Sequence, residues 1–131
     1  MNKIIIFCFV CLIFPVSCSV NKEKILGRYS FQSNKLTDSL ILKNDEYIHK
    51  IFNKSSLVYE ESGIWNLDGD RITLLKFYNN ENNPIEKPLS NKDTEKLLMH
   101  VSFPVYTQFE EISIEVNADE GIEYKKETKK K

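Results

Sequence analysis

The stretch Gly63-Ile64-Trp65-Asn66-Leu67-Asp68-Gly69-Asp70-Arg71-Ile72-Thr73-Leu74-Leu75-Lys76-Phe77-Tyr78 decides the fold. Apolar and β-branched residues recur at every second position on both sides of Asp68-Gly69-Asp70, and a pleated strand sends alternate side chains to opposite faces. Gly69 between two aspartates supplies the tight reversal that joins antiparallel neighbours. The sequence therefore predicts a hairpin with arms at 57–67 and 71–78. In the second arm Ile72, Leu74 and Lys76 oppose Thr73, Leu75 and Phe77. Gly63, two residues before Trp65, marks a bulge or a close backbone approach.

The same period runs outward from this hairpin. Residues 26–32 alternate so that Tyr29 and Phe31 share a face, and 38–43 lead through Asn44-Asp45, a pair tolerant of left-handed backbone, into 46–52. Downstream, 111–117 put Ile112, Ile114 and Val116 inward against Ser113 and Glu115, and a turn at 118–121 returns the chain through 122–126. Between these runs, 79–88 hold four asparagines and two prolines and read as a loop. Ser90-Asn91-Lys92-Asp93 resembles a capping box opening one short helix that ends at Met99, with Leu97 and Leu98 facing the core. Six or seven strands at such spacing predict an all-β antiparallel meander that closes into a small barrel or half-barrel.

The amino terminus places this domain outside the cytoplasm. Lys3, thirteen apolar residues at 4–16 and the small Ser17 have the three-part order of an export leader. Thirteen residues in a helix cover only about 20 Å, short of the roughly 30 Å a spanning segment must cross. Cys8, Cys11 and Cys18 are the chain's three cysteines. Pro15-Val16-Ser17-Cys18 resembles a bacterial lipobox, with Pro15 where a branched aliphatic residue is usual. That resemblance implies cleavage before Cys18 and a diacylglycerol thioether on its sulfur, which leaves no free thiol in an oxidising compartment. The expected divisions are a lipoprotein signal peptide at 1–17, a tether at 18–24, a β domain at 25–126 and a basic disordered tail at 127–131. The tail lysines could also meet anionic headgroups.

Removing 17 of the 131 residues leaves 114, with 17 basic residues against 19 acidic ones, a net charge of −2. So balanced a chain lacks the basic face that nucleic acid demands. The mature chain has no second cysteine with which to form a disulfide. Its apolar fraction is roughly a third against the ~45% of ordinary domains, so aromatic rings must supply much of a single thin core.

Gly27-x-Tyr29-x-Phe31, the hairpin from Leu40 to Tyr47, Gly63-x-Trp65-x-Leu67 with Asp70-x-Ile72-x-Leu74, and Asp119-x-Gly121 with Tyr124 and Lys126 together resemble the small lipocalin-like (calycin-like) lipoproteins of Bacteroidetes-type bacteria. The match covers about two thirds of the mature chain and is looser over 79–108. True lipocalins carry Gly-x-Trp near the first strand, where this chain has Tyr29. The resemblance implies an up-and-down barrel or half-barrel on a tether.

Catalytic and metal-binding patterns are absent from the sequence. Two histidines, His49 and His100, are too few for a zinc site, and Asp68-x-Asp70 lacks the further acidic ligands of a calcium loop. His49 shares its strand face with Tyr47 and Ile51 and reads as a hydrogen-bonded or rim histidine. Glu60-Glu61 and Glu110-Glu111 put their carboxylates on opposite strand faces, and no serine lies in a Gly-x-Ser-x-Gly elbow. The reading is therefore a non-enzymatic protein without cofactor, lipid-anchored through Cys18 in the bacterial cell envelope at the outer membrane. Its expected partner is a small apolar ligand held by Tyr29, Phe31, Tyr47 and Trp65, with Phe52 and Tyr59 nearby and Arg28 and His49 as polar handles. The alternative is an assembly or inhibitor module that binds an envelope protein through an open sheet edge.

Overall fold

The computed structural model describes residues 19–33, 36–78 and 98–128. The leader, Cys18, the loop at 79–88, the capping box at 90–93 and the helix drawn from it as far as residue 97, and the lysines at 129–131 lie outside the described residues.

Across the central reversal Asp68 pairs with Arg71, Leu67 with Ile72 and Trp65 with Leu74. Gly69 takes φ +61, a conformation glycine reaches without a Cβ clash. The two arms are β4 (Ser56–Asp68) and β5 (Arg71–Tyr78). Before them come a single helical turn α1 (Lys22–Ile25) and strands β1 (Gly27–Gln32), β2 (Leu36–Leu42) and β3 (Glu46–Asn53). After them come β6 (Leu98–Gln108), β7 (Glu111–Asn117) and β8 (Ile122–Lys126). Each strand pairs antiparallel with its neighbour in sequence and β8 returns to β1, so the eight strands close into an up-and-down barrel. Closure through the β1–β8 seam is thin: Tyr29 pairs with Lys126 and Ser30 with Lys125, and the Glu127 amide donates to the Arg28 carbonyl at 2.8 Å.

Seven strands fall within two residues of their expected positions, and β6 is additional. Leu98 and Met99, expected at the end of a helix, begin this strand instead, because they pair with Tyr78 and Phe77 of β5. Pro104 sits in the middle of β6 at the point where the strand changes partners. Pairing with β5 ends there and pairing with β7 starts at Val105, so the amide that proline lacks falls at the junction of two ladders. A second correction concerns Phe77. Lys76 takes φ +57, and β5 has one more residue than β6 between the Leu74 and Phe77 pairs. This bulge reverses the strand's parity, so Phe77 joins Ile72 and Leu74 in the core rather than opposing them.

Gly63 proves to be a close approach. A Cβ there would lie 2.6 Å from the Leu75 carbonyl oxygen and 2.6 Å from the Tyr47 ring, whereas the irregularity between β3 and β4 falls at Ile51 and Phe52. The β4–β5 ladder covers only Trp65 to Asp68 of β4, and beyond it the Tyr47 hydroxyl donates to the Leu75 carbonyl at 2.7 Å. A side chain thus takes over where the backbone ladder stops.

The barrel has two unlike ends. One carries α1, the turns at 43–45, 69–70 and 109–110, and the end of β8. There Asn21 caps α1 by accepting from the Glu23 amide, and Ile25 is wholly buried. Lys22 pairs with Asp45 at 2.5 Å and lies 5.0 Å over the Trp65 ring, and the Lys126 ammonium donates to the Lys24 carbonyl. Residues 22–24 of the expected tether are therefore folded against the barrel. The main core, with Tyr29, Tyr47, Trp65, Phe77, Phe103 and Tyr124 as its large rings, lies within the barrel above this turn. Toward the opposite end Leu36, Ile51, Tyr59 and Tyr78 form a separate apolar cluster.

Candidate functional site

Between the two apolar clusters sits a group of polar side chains. The inward register of β2, Leu36, Asp38, Leu40 and Leu42, brings a carboxylate into a row of leucines. On β3 the inward row is Tyr47, His49 and Ile51. Asp38 pairs with Ile51 and Leu40 with His49, so Asp38 and His49 are diagonal neighbours on one sheet face. Their side chains meet at 2.7 Å between Asp38 Oδ1 and His49 Nε2. Tyr124 reaches in from β8, its hydroxyl 3.5 Å from the same nitrogen. Burial pushes that hydroxyl well above the usual phenol range, and the nearby Asp38 carboxylate adds to the effect.

The imidazole is fixed from three sides. Phe77 stacks on it at 4.5 Å between centroids with planes 18° apart, Tyr59 meets it edge-on at 5.5 Å, and Asp38 holds Nε2. A carboxylate accepts only, so in the neutral ring Nε2 carries the proton and Nδ1 keeps its lone pair. Among the described residues Nδ1 has no partner, and neither does the Tyr59 hydroxyl, although His49 is 1% and Tyr59 9% exposed. Burial, followed by the nearby Glu61 charge, raises the Tyr59 hydroxyl above the ordinary phenol range and keeps it a neutral donor. Ser39 Oγ, on the opposite parity of β2, is a third buried polar side-chain atom without a partner among the described residues. Native interiors leave few such atoms unpaired, because each costs about 1–3 kcal/mol. Together Nδ1 and the Tyr59 hydroxyl offer one acceptor and one donor inside an apolar barrel.

Of the residues singled out from sequence, Tyr29, Tyr47, His49 and Trp65 all lie in the barrel interior. Three of them already use their polar atoms to hold the fold. The Tyr29 hydroxyl donates to the Ile25 carbonyl at 2.7 Å, that of Tyr47 to Leu75, and Trp65 Nε1 to the Lys43 carbonyl at 2.6 Å. Arg28 is exposed and Phe31 half-buried, so Arg28 does not join the interior group. Asp38 and Tyr124 belong to the cluster and were not singled out. The signal for Asp38 was its place at period two among three leucines; that for Tyr124 was its place between Ile122 and Lys126.

Elsewhere two open grooves of about 560 and 540 Å³ flank β7 and β8. Tyr106, Glu115 and Lys125 line the first, and Gly27, Arg28 and Glu110 the second; Ile112, Lys126 and Thr128 line both. Among the described residues no three His, Cys, Asp or Glu side chains gather as metal ligands. Comparisons with protein-family models, curated proteins and solved structures give no match.

Proposed function

We propose that this chain is a lipid-anchored envelope protein without catalytic activity, whose barrel holds a small, mainly apolar molecule. The observation that supports this reading is the buried, unpaired pair of His49 Nδ1 and the Tyr59 hydroxyl, set between two apolar clusters. Eight-stranded barrels are of a size to hold one small ligand, and a few placed polar groups fix its orientation. A hydroxyl on an apolar body could donate to Nδ1 and accept from the Tyr59 hydroxyl, whereas a carbonyl could serve Tyr59 alone. His49 hydrogen-bonds only to Asp38 and Tyr124 among the described residues. The Asp38–His49 pair therefore orients an acceptor rather than a catalytic base.

Native mass spectrometry of protein purified from its own host tests the idea. The expected result is a retained small molecule, and each of His49→Phe and Tyr59→Phe should lower retention about tenfold, the worth of one hydrogen bond of about 1–1.5 kcal/mol. A bare polypeptide mass from host-derived protein would count against it, and substrate turnover lost on changing His49 would make the protein an enzyme.

A second reading is favoured by β4. Its stretch Ser56 to Ile64 pairs only with β3 among the described residues, and Leu57 and Ile64 are 49% and 59% exposed. A partner strand could add along that edge. Crosslinking to one abundant envelope protein would support this reading over the first.

A further inference from the structure

We infer that the barrel end carrying α1 is a membrane-docking face, with a phospholipid bilayer as its occupant and Phe109 as its apolar anchor. The inference rests on the lipid-anchored reading of Cys18 and deepens it by giving the barrel an orientation.

The first support is chain length. Val20 is held at this end by its amide, which donates to the Gly69 carbonyl at 3.3 Å, and α1 follows two residues later, with Ile25 in the core. Cys18 stands only two residues before Val20. Two extended residues reach about 7 Å, close to the depth of one headgroup layer in a bilayer whose core is about 30 Å thick and whose full width is about 40–45 Å. An acylated Cys18 would leave no slack to lift the barrel away, so this end must lie against the headgroups.

The second support is Phe109. The turn between β6 and β7 is the two-residue Phe109-Glu110, closed by the Gln108–Glu111 pair, and it lies at this same end. Phe109 is wholly exposed and takes φ +56 in a position where glycine or asparagine is the ordinary choice. A phenyl ring there gains no packing within the chain and strains the backbone. Its exposure is accounted for if the ring packs into the apolar boundary of a bilayer, where aromatic rings settle. Tyr106, on the arm leading to the turn, is 50% exposed.

The third support is the carboxyl terminus. β8 ends at this face, and three lysines, 129–131, follow Thr128. Lysines beside a bilayer are drawn to anionic headgroups. Acidic side chains share the face, among them Asp70, Glu110 and Asp45, the last already paired with Lys22. Contact therefore depends on the acyl chains and the phenyl ring more than on net charge.

The test uses the mature chain reconstituted into phosphatidylcholine vesicles with brominated acyl chains, which quench tryptophan on contact. Phe109→Trp places a probe at the proposed face and Ser55→Trp one in the β3–β4 turn at the opposite end, with the unaltered chain giving the Trp65 background. Far-UV circular dichroism confirms that both variants fold. The expected result is several-fold quenching of the residue-109 probe with the residue-55 probe unaffected. Acylated protein whose residue-109 probe stays bright, or whose residue-55 probe is quenched instead, would overturn the docking face while leaving the anchor intact. A mature mass without acyl chains would instead remove the anchor, and this proposal with it.

Discussion

Replacing Asp38 by leucine probes the polar interior most directly. The residue is 6% exposed, and its carboxylate accepts from His49 Nε2 at 2.7 Å beside the Tyr124 hydroxyl. Leucine would leave the His49 Nε2–H buried without its acceptor. Losing a hydrogen bond to a charged group costs about 1.5–3 kcal/mol. Against a total of about 5–15 kcal/mol for a domain, Asp38→Leu should remove about a tenth to a half of the stability. With a urea slope of about 1–3 kcal/mol per molar, the unfolding midpoint should fall by about 1 M or more, read from Trp65 fluorescence and far-UV circular dichroism. His49→Phe keeps the stacking on Phe77 and removes the orphaned donor, so the double variant should recover at least about 2 kcal/mol relative to the sum of the single losses. A single loss under about 1 kcal/mol, or strictly additive losses, would refute the claim that the pair is a coupled unit.

Three further outcomes follow from the geometry. Burial raises the hydroxyls of Tyr29, Tyr47, Tyr59, Tyr78 and Tyr124 above the ordinary phenol value of 10.0, so the folded chain holds these protons more tightly than the unfolded one. Their contribution is complete below pH 10 and is lost as pH rises beyond it, opposed weakly by Lys126, whose ammonium burial disfavours. The urea midpoint should therefore drop above pH 10, with phenolate absorbance of the folded protein lagging that of the unfolded chain. Gly63→Ala should cost about 1–3 kcal/mol in the same urea assay, because the new methyl meets a backbone oxygen and a ring at 2.6 Å. Phe109→Gly should stabilise the barrel in solution by on the order of 1 kcal/mol, since it relieves φ +56 and forfeits no packing; a lowered urea midpoint would contradict this.

The antiparallel architecture was legible because its inward faces alternate plainly, as in Tyr29 and Phe31, Tyr47 with His49 and Ile51, and Ile112 with Ile114 and Val116. Two devices broke that pattern. Pro104 interrupts the β6 run in sequence, and only the three-dimensional pairing reveals that the strand changes partners there. The positive φ at Lys76 has no glycine to announce it, so the inward turn of Phe77 could not be read from parity. The interior cluster was half legible. His49 stood out as one of two histidines, whereas its bond to Asp38 depends on the β2–β3 register, a tertiary property. Likewise Tyr29, Tyr47 and Trp65 are interior aromatic residues as their spacing suggested, but sequence cannot tell that backbone carbonyls already occupy their polar atoms.

The narrow join between the first and last strands bears on the order of assembly. Synthesis runs from the amino terminus, and here β1 must wait for β8, the last of the described strands, before its outer edge is covered. Until Lys126 has been added the sheet can only be an unclosed ribbon, open to misassociation. A nascent chain stalled or truncated before that residue would lack the cylinder altogether, its first strand left with a bare outer edge.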